Sequence, residues 1–159
     1  MASTTKDSPA NRRRLLAYIG EVRAALRMQN WDVVLHEEVC GDEDAHAETW
    51  ASDNHAVLNI RLEKDFFDLE PRGIRNTIVH ELIHAQHRDV TLWWEGCTTG
   101  NEDIAVSASK SWDSDFRMYM ERFVSWITDR IEGTVPMWEP MAPIPKTFEP
   151  GLWLRDRKS

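Results

Sequence analysis

Residues 71–88 read PRGIRNTIVHELIHAQHR, and the reading of that stretch decides the fold. Pro71 suits the first turn of a helix, where its missing N–H costs nothing. Ile74, Ile78, Leu82 and Ala85 then fall on one stripe at helical spacing, with Val79 and Ile83 flanking it. A helix so patterned is largely buried. His80 and His84 lie on another side of it, differing by about 40° in direction and about 6 Å in rise. Both imidazoles can therefore reach one metal ion, and Glu81 can reach a water on that ion. The bland alternative is a pair of hydrogen-bonded core histidines.

Outward from this helix the chain reads as α+β. Residues 1–8 have the composition of a disordered N-terminus. Ser8-Pro9 is a capped helix start, and the helix should run to about Met28 on the stripe Leu15, Ile19, Val22 and Leu26, with Leu16 and Ala25 beside it. The run Arg12-Arg13-Arg14 reads as its solvated beginning. Trp31 to Val39 is rich in β-branched and aromatic residues, as strands are. After an acidic turn a short strand covers His46 to Ala51. His55 to Leu62 alternates, with Ala56, Leu58, Ile60 and Leu62 on one face, as a half-buried antiparallel strand does. A small antiparallel sheet of about three strands is expected.

Beyond the histidine helix, residues 89–111 read as a loop with at most one short helix. A helix follows from near Trp112 to Ile131, with Phe116, Tyr119, Met120, Phe123, Val124, Ile127 and Ile131 as its apolar positions. Gly133 and Pro136 stop it. Residues 9–132 thus form one domain. The tail, 133–159, is rich in Pro and has no clear period, so it should be an extended segment lying over the domain or over a partner protein.

A chain of 159 residues has room for one domain with a real core. Its net charge of −8 and lack of a basic stripe argue against a nucleic-acid partner. No run of apolar residues is long enough to span a membrane. The segment Met1 to Asn11 lacks an apolar signal region, so a cytoplasmic setting is expected. Cys40 and Cys97 lack metal-site spacing and read as free thiols.

A catalytic zinc usually has three protein ligands and an open position for water. The best-placed third ligand is Glu121, 37 residues after His84 on a second helix, at the edge of its apolar stripe. His87, Asp89, Glu95 and Glu102 are rivals. His87 lies on the same face as His80 but about 10 Å along the helix axis. Glu81 would then be the general base. Candidates for a second donor to a developing oxyanion are His87, Tyr119 and His55. Ser125 and Asp129 are candidates to orient the imidazoles. Imidazole plus carboxylate also tolerates manganese or iron.

The phrase Val79-His-Glu-Leu-Ile-His-Ala85, with Glu121-Arg-Phe-Val124 on a later helix, resembles the zincin metallopeptidases, in particular their Glu-ligand branch, the gluzincins. The order of elements is similar to that of the minimal zincins of the ImmA/IrrE and SprT/WLM types and to small metallopeptidases of actinobacterial phages. That resemblance covers residues 10–132. It implies zinc held by His80, His84 and Glu121, Glu81 as general base, and a protein or peptide substrate aligned along His55 to Leu62 as an edge strand. A phage origin would place the chain in host cytoplasm or on the virion. The chain departs from related patterns. It has no His-Gly-x-x-Phe after the motif, position 87 is His where metzincins have Gly, and Ser125 stands where a thermolysin-like pattern has Asp. The alternative is a zincin-fold structural or protein-binding component without turnover, docking through the C-terminal tail.

Overall fold

Ser8 opens the first helix, α1 (Pro9–Ala25), its hydroxyl accepting the Asn11 N–H at 3.2 Å. The computed structural model describes residues 7–40, 45–51, 56–87 and 102–155, with 102–114 as backbone alone. These residues form three α-helices and one four-stranded sheet, a mixed α/β arrangement. After α1 come β1 (Asp32–Val39), β2 (Ala47–Ala51), β3 (Val57–Leu62), α2 (Pro71–Gln86), α3 (Glu102–Ile131) and β4 (Leu152–Arg155).

The sheet order is β2-β3-β1-β4. β2 pairs antiparallel with β3, whereas β3 and β4 both run parallel to β1. The expected antiparallel sheet of about three strands is therefore corrected on two counts. A parallel neighbour needs a crossover between its strands. Here the chain leaves β1, descends along β2 at the sheet edge, and inserts β3 between them. The fourth strand returns from the far end of the chain. His55 to Leu62 was expected as an edge strand, but β3 is interior and β2 holds the edge.

Leu58, Ile60 and Leu62 of β3 and Val33 and Leu35 of β1 are buried on one face. Leu15, Leu16, Ile19 and Val22 of α1 cover them together with Ile74, Ile78, Leu82 and Ile83 of α2. The opposite face carries its own polar cover. Trp50 lies against the buried His36 ring, Arg61 sits 4.5 Å over Trp50, and His36 Nε2 meets Asn59 Oδ1 at 2.9 Å. Alternation in β3 was real, but the second face is half-buried by these neighbours rather than open.

The basic run on α1 is a correction as well. Arg12 is buried, chelates the Asp7 carboxylate through two contacts of 2.8 Å and donates to the His36 carbonyl at 2.6 Å. A guanidinium can be buried when its fork is satisfied in this way. Arg14, Tyr18 and Arg23 do the same for the tail, donating to the carbonyls of Ala142, Pro136, Pro150 and Gly151. The described part of the tail lies over the chain's own domain, buries Val135, Trp138 and Leu152, and includes β4.

α3 begins ten residues before the expected Trp112 and spans 30 residues. It buries a narrow seam, Val124, Thr128 and, just past its end, Glu132, with Ile127 and Ile131 half-buried. Tyr119 and Phe123, expected in the core, are 65% and 43% exposed. The seam follows a four-residue period toward α2, and the aromatic residues lie to its side. No helix among the described residues is long and apolar enough to cross a membrane.

Candidate metal centre

The apolar stripe of α2 is buried as its spacing predicts, which fixes the helix about its own axis. His80 and His84 then project toward α3 and the mouth of a cavity of about 810 Å³. α3 runs antiparallel to α2, because Glu132 at its end pairs with Arg72 and Arg75 near the start of α2 while Glu121 reaches His80 and His84. Glu121 precedes Val124 and Thr128 by three and seven residues, so the buried seam aims it at the imidazoles.

The donors form a tight triangle. His80 Nε2 and His84 Nε2 stand 3.0 Å apart. Glu121 Oε2 lies 3.3 Å from the first and Oε1 lies 3.1 Å from the second. A tetrahedral zinc with bonds of about 2.0–2.1 Å has ligand–ligand edges of about 3.3–3.4 Å. Lone pairs so close repel one another unless a proton or a cation lies between them. Burial and the neighbouring His84 hold the His80 imidazole below its ordinary pKa, favouring the neutral form that can ligate. The residues present fit a metal of zinc's size and taste for nitrogen and oxygen.

Glu81 lines the same cavity. Burial pushes its carboxyl up to about 7, against a hydrogen bond from Thr49 that lowers it, with the Glu121 charge raising it further. Thr49 Oγ1 donates to Glu81 Oε2 at 2.6 Å. A carboxyl poised near neutrality on the wall of this cavity is suited to moving a proton.

Other candidates fall elsewhere. His87 Nδ1 donates to the Ile83 carbonyl at 2.9 Å and its ring meets Phe123 edge-on, away from the cavity wall. Tyr119 projects outward. Ser125 and Asp129 are exposed and make no hydrogen bond to either imidazole. Asp89, Glu95, His55, Cys97 and the side chain of Glu102 lie outside the described residues. The cavity also draws on His46 and Thr49 of the β2 segment and on Asn76, one turn before His80. None of these was singled out from sequence. For Asn76 the signal was there, since positions 76, 80 and 84 form one helical row. Among the described residues, none from the tail lines the cavity.

Comparison with protein-family models, curated proteins and solved structures finds no match to this chain. The functional reading therefore rests on the residues and their geometry.

Proposed function

We propose that the chain is a zinc-dependent metallopeptidase of zincin type, hydrolysing peptide bonds within a protein substrate. The observation that carries this reading is the convergence of His80, His84 and Glu121 in one cavity with an uncoordinated carboxylate, Glu81. A structural metal site has no use for that fourth group.

Zinc bound there would supply a Lewis acid that acidifies water and polarises a carbonyl. His80, His84 and Glu121 would hold it. Glu81 accepts the proton of the attacking water on its carboxylate and delivers it to the departing amine. Thr49 fixes one Glu81 oxygen and leaves the other for that proton.

The test is metal content and hydrolysis of denatured casein by the wild-type, His80→Ala and Glu81→Gln proteins. The reading expects one zinc per chain in the wild type and in Glu81→Gln, none in His80→Ala, and cleavage by the wild type alone. A wild type that binds no zinc, or a Glu81→Gln protein that cleaves normally, would overturn it. A second reading, a zinc-bearing binding component without turnover, draws on the exposed Tyr119, Phe123 and Trp126 along α3. Full zinc with no hydrolysis by the wild type would favour it.

A further inference from the structure

We propose that Thr49 is a positioning residue for the Glu81 carboxylate, an inference that rests on the peptidase reading above. Thr49 stands at the centre of β2, opposite Ile60 of β3, so its side chain lies on the sheet face that packs toward α2. Its strand neighbours on that face are Ala47 and Ala51. Two alanines leave open the space through which Glu81 reaches the strand.

The hydroxyl donates to Glu81 Oε2 at 2.6 Å, within the range of a charge-assisted O–H···O contact. Thr is β-branched, and its restricted χ1 aims the hydroxyl more firmly than a Ser would. None of the ion pairs among the described residues involves Glu81. Glu121 adds a second negative group to the same wall. Such an arrangement costs folding stability, because a half-buried carboxylate is held by a hydroxyl rather than neutralised by a cation. What it fixes is direction. With Oε2 tied to β2, Oε1 keeps its lone pairs for a proton arriving from the cavity. The hydroxyl touches neither the metal ligands nor, on this reading, the substrate. It acts through Glu81.

The test compares Thr49→Val, Thr49→Ser, Glu81→Gln and the Thr49→Val/Glu81→Gln double variant. Two readouts are taken: steady-state hydrolysis of denatured casein by the zinc-loaded proteins, and thermal unfolding of the same proteins in EDTA. Thr49→Val should lower kcat about 10- to 100-fold, the worth of one hydrogen bond to a charged group, with zinc content and KM unchanged. Thr49→Ser should recover most of that loss. In EDTA the two single substitutions should be less than additive, because Thr49→Val removes the donor and Glu81→Gln removes the charge that strengthens the bond.

Normal kcat in Thr49→Val, or a Thr49→Ser protein as slow as Thr49→Val, overturns the proposal. So do additive stabilities with an active wild type, and in that case the peptidase reading survives. A wild type that hydrolyses nothing while the coupling persists overturns the peptidase reading and the positioning role of Thr49 with it, leaving a structural bond.

Discussion

Glu121→Ala should have two different effects depending on whether zinc is present. The Glu121 side chain is 59% exposed, and its contacts without metal are imidazole–carboxylate pairs at 3.1 and 3.3 Å. Exposed pairs of that kind contribute about 0–1 kcal/mol. In EDTA the substitution should therefore shift Tm by no more than about 2–4 °C for a chain of this size. With zinc in 100-fold excess over its Kd, a ligand that binds only the folded state adds about 2.7 kcal/mol. At about 2–4 °C per kcal/mol that is a rise of roughly 5–11 °C in the wild type. Glu121→Ala, left with two histidines, should forfeit most of the rise. The assay is thermal unfolding followed by far-ultraviolet circular dichroism, over a zinc titration and in EDTA. An equal zinc-induced rise in both proteins would show that Glu121 is not a ligand. A drop in EDTA as large as the drop in zinc would make it a packing residue.

The pH dependence of the metal-free protein should carry the signature of Glu81. Its folded pKa lies near 7, above the ordinary 4.5; the folded state thus binds the proton more tightly, and the stability this gives below pH 4.5 is lost as pH rises toward 7. The loss amounts to about 3 kcal/mol at most; His80, with its lowered pKa, acts in the opposite sense. Urea unfolding of wild type and Glu81→Gln in EDTA isolates the term, and parallel pH profiles would contradict it. Gly151→Ala should loosen β4, because the residue sits at φ +81 and a Cβ would collide with Asp32 Oδ1 and press on Arg23 Nη1 at 2.9 Å. Left-handed strain alone costs about 1–2 kcal/mol, so a Tm lowered by less than about 2 °C would refute the account. Arg12→Met leaves the His36 carbonyl and the Asp7 carboxylate without their donor. Urea unfolding should show a loss of about 2 kcal/mol that Lys at the same position does not recover.

The helix that carries the two histidines was legible because its information is local. Ile74, Ile78, Leu82 and Ala85 repeat at helical spacing, and each is buried. The strands were legible as strands for the same reason, but their order was not. Nothing in Trp31 to Val39 or His55 to Leu62 says that one will lie beside the other in parallel. β4 was not legible because four residues cannot announce a strand. It depends on Arg23, more than 120 residues earlier, whose guanidinium gathers the carbonyls of Pro150 and Gly151. Thr49 escaped notice for a similar reason, since its partner is 32 positions away. The face of α3 was misjudged because apolar residues were equated with buried ones. A helix can leave aromatic side chains half-exposed when the seam it packs through is narrow.

That narrow seam bears on how the candidate centre is built. α3 is anchored to α2 at its C-terminal end by Val124, Thr128 and the Glu132 pairs with Arg72 and Arg75. Before Val124 the described side chains of α3, residues 115–123, are exposed or half-exposed. Glu121 lies within this stretch, three residues before Val124, and still reaches His80 and His84 of α2. A metal held by His80, His84 and Glu121 would join the two helices at this point. Ligand geometry set by a rigid α2 and a partly anchored α3 has a consequence for affinity. The two histidines sit on a helix fixed by the core, whereas ordering of the exposed Glu121 would have to be supplied by metal binding itself. If zinc binds as proposed, Glu121 is therefore the residue through which changes in the packing of α3, at Val124 or Thr128, should alter zinc affinity without touching the ion.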